Sequence, residues 1–345
     1  MTMQAVLKHD ESSAINLERI QIPQPGPDDV LVRVKATAIC GTDLHIAHWS
    51  GMAQSMGIRL PLVLGHEFSG EIVETGRNVR ELSRGDYIAG ETHIPCGQCY
   101  QCLNGLQHIC GRLKMFGIHR DGSFAEYTTI PALCARKIPA SIPPRIGAIL
   151  EPLGTSLRAA LELGVSGEVV AVTGCGPIGL LAIAAVKAMG AFQIVATDIR
   201  ADRLDLARRL GADIALDPTK TDVVAEALVL THGVGVDSFI DASGSEKAIQ
   251  LAFQCLRKGG KAALIGLPST PVSLNMGVDV VFKEAKIVGI HGRMMYATWT
   301  HMENMLSSGK LTVDPVVTHE MPLADCSKGM ALLEEGKGGK VVLVP

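Results

Sequence analysis

The 345-residue chain is too long for one hydrophobic core of ordinary size, which predicts two domains. Hydrophobic residues at 47%, charged residues at 19% and 37 glycines fit an α/β protein and exclude a disordered or fibrous chain. A formal net charge of -3, without a block of like charges, removes the electrostatic reason to expect nucleic acid or an anionic membrane. The expected partner is a small molecule.

The amino terminus, residues 1–10, has no apolar core flanked by basic residues, and no run of about eighteen apolar residues follows it. We therefore expect neither a signal peptide nor a membrane span, and a cytoplasmic location. In that reducing compartment nine cysteines, an odd number, argue against a disulfide framework. They favour metal ligands together with a few small core residues.

Short strands are predicted throughout the first part of the chain. In residues 29–36 the apolar Val30, Val32, Val34 and Ala36 alternate with polar residues, as in a half-buried strand. Further short strands continue to about Gly147, punctuated by Gly, Pro and Asp, with little helical periodicity. We interpret this part as a distorted β-barrel or sandwich.

A candidate metal set follows the first strand in two short segments, with Cys40, Thr42, Asp43 and His45 in one and His66 and Glu67 in the other. A cysteine, a histidine and a carboxylate can form a three-ligand zinc site of the catalytic kind, with a fourth position for water or substrate. Spacing alone leaves open the alternative that these residues bind no metal. Cys40 is then a core residue, His66 a buried imidazole and Glu67 a surface charge.

A denser cysteine cluster lies in residues 96–110, where Cys96, Cys99, Cys102 and Cys110 have the spacing C-x2-C-x2-C-x7-C. Tetrahedral zinc takes four thiolates from a short loop of this kind, and a site closed by four protein ligands is structural. An iron–sulfur cluster uses similar spacing, but Gly111 replaces the usual proline after the last cysteine. We predict a structural zinc.

From about residue 168 the pattern changes to short apolar runs separated by helix-length segments, which predicts a parallel sheet with helices on both faces. The first run leads into the glycine loop "GCGPIG", residues 174–179, which opens an apolar helix. Gly174 permits the turn, Gly176 lets backbone N–H groups reach a pyrophosphate, and Gly179 lets helix and strand pack closely. Asp198 ends the next run and is placed to accept from the adenosine ribose hydroxyls, which favours NAD over NADP.

The last fifty residues contain one short helical pattern, residues 298–309, and the ending "KVVLVP". We expect the ending to be a closing strand that returns to the first domain.

Five segments together resemble the zinc-dependent medium-chain alcohol dehydrogenases over essentially the whole chain: "CGTDLH", "GHEFSGEIVETG", the four-cysteine lobe, "LEPLG" and "GCGPIG". The resemblance implies a Rossmann domain with a doubly wound parallel sheet, residues 151–294. It also implies a mostly β, GroES-like catalytic domain, residues 1–150 and 295–345, with the zinc lobe at 93–112. The family further suggests a homotetramer.

The resemblance assigns the metal set. Cys40 and His66 match the fixed ligands of a catalytic zinc, and Glu67 and Glu151 match the carboxylates that complete its shell directly or through water. Because adjacent residues of a regular strand point to opposite faces, either the backbone turns at Gly65 or only one carboxylate binds at a time. Asp43, or another acceptor, is expected to orient a ligand from behind.

The resemblance also implies the chemistry. Zinc acidifies a secondary alcohol, Thr42 and His45 pass its proton towards solvent, and hydride goes to C4 of the nicotinamide. The nicotinamide is expected between the two domains. The cofactor residues implied by the motif and the family are Gly174, Gly176, Pro177, Ile178, Gly179, Asp198, Arg203, Ile265 and Ile290.

Several segments around Trp49, His93, Arg293 and Trp299 are most similar to those of family members that oxidise L-threonine, and polyol dehydrogenases share fewer of them. His93 and Arg293 are the candidate substrate residues. Two departures, "LGTSLRA" at residues 153–159 and Met294, leave polyols or vicinal diols as alternative substrates. A more distant alternative is a nucleotide-binding relative without catalytic activity, which would lack the ligand set present here.

Overall fold

Residues 1–12 and 14–345, as the computed structural model describes them, divide into two units. The first, here called the β-rich unit, contains Met1–Glu151, Met294–Trp299 and Val317–Pro345. The second, here called the α/β unit, contains Pro152–Arg293 and Thr300–Val316. Among the described residues, no helix has both the length and the apolar character that crossing a membrane requires.

The first part of the β-rich unit is built mainly from short strands. Its strands are β1 (Thr2–Lys8), β2 (Asn16–Gln21), β3 (Asp29–Ala38), β4 (Leu62–Val63), β5 (Glu67–Thr75), β6 (Tyr87–Gly90), β7 (His93–Ile94), β8 (Lys114–Met115), β9 (Tyr127–Pro131) and β10 (Ala135–Lys137). Its helices are α1 (Gly41–Ala47), α2 (Gly51–Ser55), α3 (Tyr100–Leu103) and α4 (Pro144–Ala148). In β3 the predicted apolar positions Val30, Val32, Val34 and Ala36 are all buried.

The α/β unit alternates strands and helices as the apolar runs predict. Its strands are β11 (Val169–Thr173), β12 (Gln193–Thr197), β13 (Ile214–Leu216), β14 (Val236–Asp241), β15 (Leu256–Leu264) and β16 (Lys286–Gly289). Its helices are α5 (Leu150–Leu163, which begins in the β-rich unit), α6 (Pro177–Ala188), α7 (Ala201–Arg209), α8 (Val223–Leu230), α9 (Glu246–Cys255) and α10 (Ala297–Ser307, which also begins there). A π-helical segment spans Met276–Val281.

The six strands of the α/β unit are all parallel, in the order β13-β12-β11-β14-β15-β16. Numbered within the unit this order is 3-2-1-4-5-6, the order of a dinucleotide-binding sheet. The helix after the glycine loop, α6, is buried from Gly179 to Val186. The carboxyl ends of the strands therefore share one edge, at which the glycine loop lies.

The chain then returns to the β-rich unit as β17 (Val317–Pro322), α11 (Cys326–Glu334) and β18 (Lys340–Val344). Strand β18 pairs antiparallel with β3, as expected for the closing strand. The resulting seven-stranded sheet has the order β10-β6-β5-β3-β18-β17, and β9 also pairs with β3. The central strand β3 thus has neighbours from both ends of the sequence.

Helix α11 has no counterpart among the predicted elements. Gly329 lies near its middle, and a Cβ there would approach Ile39 Cδ1 to 2.7 Å and Val341 Cγ1 to 3.0 Å. Glycine disfavours a helix locally, but its missing side chain lets α11 pack closely on the sheet. Tertiary packing outweighs the local preference here.

Candidate metal centres and nucleotide-binding loop

Strand pairing brings the first metal set together. In the antiparallel pairing of β3 with β5, Ala38 lies opposite Glu67, so Cys40 and His66 continue the same two strands at one end. Cys40 is the N-cap residue of α1. One donor atom each from Cys40, His66 and Glu67 lies within 4.8 Å of the other two. This group is here called the catalytic cluster.

A turn at Gly65 lets neighbouring residues serve one cluster. Gly65 has φ of +91°, and a Cβ on it would come within 2.2 Å of Phe124. Glycine is the residue that adopts this backbone conformation without strain, and the ring leaves no room for a side chain. The irregular backbone resolves the difficulty that adjacent strand residues point apart, because His66 and Glu67 both reach the cluster.

Asp43 lies behind the cluster, fully buried. Its Oδ2 accepts from the Cys40 backbone N–H at 2.9 Å, and its Oδ1 lies 3.3 Å from His66 Nδ1 without hydrogen-bond alignment. Burial lowers the pKa of His66, but the Asp43 carboxylate and the Cys40 sulfur raise it well above its ordinary value. The field that favours a proton on His66 also favours a divalent cation, so this donor set fits zinc.

Lys340, at the start of β18, is a member of this site that the sequence did not indicate. Its Nζ donates to both carboxylate oxygens of Glu67 at 2.5 Å and to the Ile39 carbonyl at 3.2 Å. Both side chains are buried. Burial lowers the pKa of Lys340, but the Glu67 carboxylate more than offsets this, so the net shift is upward. Lys340 thus holds the carboxylate at the cluster.

The other predicted members lie around this cluster. Glu151, in the first turn of α5, is close enough for its charge to raise the pKa of Glu67, in addition to the larger effect of burial. Half-buried Thr42 has its Oγ1 3.9 Å from Cys40 Sγ. His45 is exposed on α1, with Nδ1 3.1 Å from Ser50 Oγ. The helix that follows Cys40 therefore carries both predicted proton-transfer residues.

The four lobe cysteines converge as the spacing predicts. One sulfur each from Cys96, Cys99, Cys102 and Cys110 lies within 4.8 Å of the others. Individual sulfur–sulfur distances are 3.5, 3.7 and 4.0 Å. Zinc–sulfur bonds of about 2.3 Å place tetrahedral sulfurs about 3.8 Å apart, so the lobe fits one zinc ion with no open position.

Backbone and side-chain donors surround these sulfurs. Cys110 Sγ accepts from the backbone N–H groups of Cys96 and Arg112, each at 3.3 Å, and the Arg112 guanidinium donates to Cys96 Sγ at 3.4 Å. A backbone hydrogen bond from Gln98 contributes most to lowering the pKa of Cys96 to about 6. Such donors stabilise thiolates, which are the form that binds zinc.

We expect Cys99→Ser to reduce bound zinc from two ions to one per chain and to lower the melting temperature. A structural site contributes directly to folding, whereas the catalytic cluster shares none of its ligands. Metal analysis with thermal denaturation measures both effects, and Cys134→Ser, a buried cysteine outside either cluster, is the matched control. Unchanged zinc content with lost activity would contradict the structural assignment.

The glycine loop has the geometry that a dinucleotide requires. Gly174 adopts φ of +84°, and a Cβ on Gly179 would lie 1.8 Å from the Gly174 carbonyl oxygen. A Cβ on Gly176, the N-cap residue of α6, would meet nothing within 4 Å. The N-terminus of α6, with Pro177 and Ile178 in its first turn, is therefore open to a phosphate group.

Asp198 follows β12 at the same sheet edge. Its Oδ2 accepts from the Cys175 backbone N–H at 2.7 Å and its Oδ1 from that of Arg200 at 2.9 Å. Arg203 Nη1 lies 3.9 Å from Oδ2. Ile265 and Ile290 follow β15 and β16 at this edge. Their backbone N–H groups continue the hydrogen bonding between neighbouring strands. The predicted cofactor residues thus share the edge at which nucleotides bind in such sheets.

The two candidate substrate residues belong to different units. His93 is buried in the β-rich unit, with Nδ1 2.7 Å from Glu91 Oε1. Arg293 is fully buried in the α/β unit, where a Cβ on Gly154 would come within 2.5 Å of its Cδ. Arg158, one of the departures, donates to the His291 carbonyl at 3.0 Å. Glu91 and Lys340 are the buried charges of these sites that the sequence analysis did not identify.

Comparisons with known proteins agree with this geometry. The family model for the alcohol dehydrogenase GroES-like domain matches residues 26–140, and that for zinc-binding dehydrogenases matches residues 177–308. L-threonine 3-dehydrogenase of Pyrococcus abyssi is 41% identical over 99% of this chain and 98% of that protein.

Solved structures are similar over the full length. A Sinorhizobium meliloti 1021 dehydrogenase bound to NADP has a TM-score of 0.92 and 32% identity, covering all of both chains. The 2R,3R-butanediol dehydrogenase of Bacillus subtilis has a TM-score of 0.89 and 30% identity, covering 99% of each chain. The expected fold, enzyme class and cofactor classes, zinc and a nicotinamide dinucleotide, are confirmed. The chain belongs to the zinc-binding dehydrogenases of the alcohol dehydrogenase family.

Proposed function

We propose that this dehydrogenase oxidises L-threonine to 2-amino-3-oxobutanoate with NAD. The observation that carries the proposal is the catalytic cluster, which contains the sulfur, imidazole and carboxylate donors of a zinc site within 4.8 Å. Full-length relatives named L-threonine 3-dehydrogenase, 41% identical, support the substrate. Catalysis is assigned to residues 1–150 and 295–345, and NAD binding to residues 151–294.

Cys40, His66 and Glu67, with Glu151, would hold the zinc, which when bound lowers the pKa of an alcohol substrate. Asp43 lies beside the ring of His66, and Lys340 fixes the carboxylate of Glu67. Thr42 takes up the alcohol proton as it releases its own towards solvent, and His45, which is exposed, belongs to the same route. A bound nicotinamide would supply the hydride acceptor, so that the proton and hydride removed from the alcohol account for the oxidation.

L-Threonine differs from a diol by its two charges. Its ammonium needs a carboxylate, for which Glu67 or Glu151 is the candidate, and its carboxylate needs a donor, for which His93 or Arg293 is the candidate. A vicinal diol requires neither charge. The similarity to a butanediol dehydrogenase makes 2,3-butanediol the second candidate substrate.

We expect at least about a hundredfold preference for NAD over NADP in kcat/KM, because Asp198 repels a 2′-phosphate. Asp198→Asn should reduce this preference about tenfold. The amide loses the charge and keeps an acceptor for only one of the two backbone N–H groups that Asp198 binds. Asp205→Asn, an exposed carboxylate on the following helix, is the control and should change nothing. Equal use of both cofactors by the wild type would contradict the assignment.

We also propose a homotetramer in the cytoplasm. Strand β16 is at the edge of its sheet and largely exposed, including its Ile287, and Val281 and Phe282 are exposed shortly before it in sequence. Exposed apolar side chains along an open strand favour pairing with another chain. The nine cysteines, all free, suit a reducing compartment. A monomeric mass in light scattering, or secretion of the protein, would contradict these two proposals.

A further inference from the structure

Glu91, which follows β6, is a fully buried carboxylate whose two oxygens both take part in hydrogen bonds. Its Oε1 accepts from the backbone N–H of His93 at 2.9 Å and lies 2.7 Å from His93 Nδ1. Its Oε2 accepts from Trp299 Nε1 at 2.8 Å. Because His93 and Trp299 are buried too, these bonds form a polar group shielded from solvent, where each bond is strong and costly to lose.

The carboxylate determines how His93 is presented. An ionised carboxylate only accepts, so His93 Nδ1 is the donor of this bond and carries a proton. The backbone N–H bond to the same oxygen fixes the side chain relative to its own main chain, and Cys134 Sγ donates to the His93 carbonyl at 3.3 Å. The orientation of the ring, and hence the direction of Nε2, is set by Glu91.

The same short segment is attached to the catalytic cluster. Thr92, between Glu91 and His93, donates to the His66 carbonyl at 3.1 Å. Both groups are buried. His93 therefore has a fixed position relative to a candidate zinc ligand, as substrate recognition requires.

The other oxygen of Glu91 holds a separate part of the chain. Trp299 ends Met294–Trp299, the short stretch of the β-rich unit that follows Arg293 and Ile290 in sequence. Its ring is fully buried, with no exposed surface. One carboxylate thus fixes both His93 and the segment after the predicted cofactor residues.

We propose that Glu91 is the positioning residue for substrate-carboxylate recognition by His93. With Nδ1–H directed at Glu91, the ring can donate from Nε2 to a substrate carboxylate only in its doubly protonated form, whose charge the buried Glu91 compensates while it directs the ring. Trp299 holds Glu91 in place for this role. The inference rests on the proposed function, because a diol offers His93 no carboxylate.

Glu91→Gln tests the proposal. An amide has one acceptor, so its NH2 must face either Trp299 Nε1–H or the two His93 N–H groups. We expect KM for L-threonine to rise at least about tenfold, the size of a lost charge-assisted hydrogen bond, with kcat changed less than about threefold. KM for 2,3-butanediol should stay within about twofold. Glu168→Gln, a half-buried carboxylate paired with Lys261 in the α/β unit, is the control and should alter neither.

The difference in KM between the two substrates is the readout that a purely structural role would not produce, and nitrogen NMR of histidine-labelled enzyme tests the Glu91–His93 contact directly. The wild type should show a protonated Nδ1 at His93, assigned by its absence in His93→Asn, and this signal should shift in Glu91→Gln. A wild-type Nδ1 without a proton overturns the proposal, even where Glu91→Gln does not fold. Equal changes in KM for both substrates also overturn it. Wild-type enzyme that does not oxidise L-threonine rejects the proposed function instead, and the NMR result then decides the Glu91–His93 contact alone.

Discussion

His66→Ala should abolish dehydrogenase activity, lowering kcat/KM about 10³-fold or more, and should reduce zinc from two ions to one per chain. Removing a ligand of the catalytic cluster removes Lewis-acid stabilisation that is worth several kcal/mol. The four cysteines of the lobe lie in a separate segment, so their zinc is retained. Steady-state kinetics with metal analysis measures both effects.

The control for this substitution is His48→Ala. His48 is the C-cap residue of α1, half exposed, and pairs with Glu334 away from the cluster. It should change neither zinc content nor kcat/KM by more than about twofold, as for other exposed pairs. Full activity of His66→Ala, or loss of both zinc ions, would contradict the assignment of His66 as a ligand of one metal only.

Lys340→Met should destabilise the metal-free protein by about 3–5 kcal/mol, because it leaves the buried carboxylate of Glu67 without its cation. Both carboxylate oxygens lie 2.5 Å from Nζ, and neither side chain is more than 2% exposed. The loss in free energy of unfolding should be smaller in zinc-loaded protein, because the metal supplies positive charge beside Glu67. Urea denaturation with and without a chelator measures the two values.

Two further variants separate charge from packing. Lys340→Met with Glu67→Gln should recover part of the lost stability, because a neutral amide is cheaper to bury than an unpaired carboxylate. Lys137→Met removes an exposed lysine from its pair with the half-buried Asp86 and should cost no more than about 1 kcal/mol. An equal loss in free energy of unfolding for Lys137→Met and Lys340→Met would show that burial does not strengthen the Lys340–Glu67 pair.

Local patterns in the sequence were sufficient for the parallel sheet, the glycine loop and the cysteine lobe. Each depends on residues close together in the chain: an apolar run followed by Gly174, or four cysteines within one loop. Turn geometry and ligand spacing act over such short distances, so their consequences can be predicted without a structure.

Long-range register was not predictable. Lys340 reaches Glu67 because β18 pairs with β3, which places residues separated by most of the chain at one end of a sheet. Glu91 likewise accepts a hydrogen bond from Trp299, which is far away in sequence. A lysine before "VVLV" and a glutamate after a strand are ordinary surface patterns, so only the tertiary structure distinguishes them as buried partners.

In helix α11 the local preference and the tertiary packing oppose each other. Its glycine argues against a helix by intrinsic preference, and its apolar face is short. The close approach of Gly329 to Ile39 and Val341 provides packing that the sequence pattern does not express. The turn at Gly65 is similar, because the ring of Phe124, far away in sequence, excludes any side chain there.

The most direct test of the account is kcat/KM of the zinc-loaded enzyme with NAD for L-threonine, D-threonine, L-serine, 2,3-butanediol, sorbitol and xylitol. The proposed function predicts that L-threonine is the best substrate, by at least about tenfold over 2,3-butanediol, because only an amino acid engages both a carboxylate and a donor in the site. A polyol or diol that is turned over most efficiently would contradict the assignment of L-threonine.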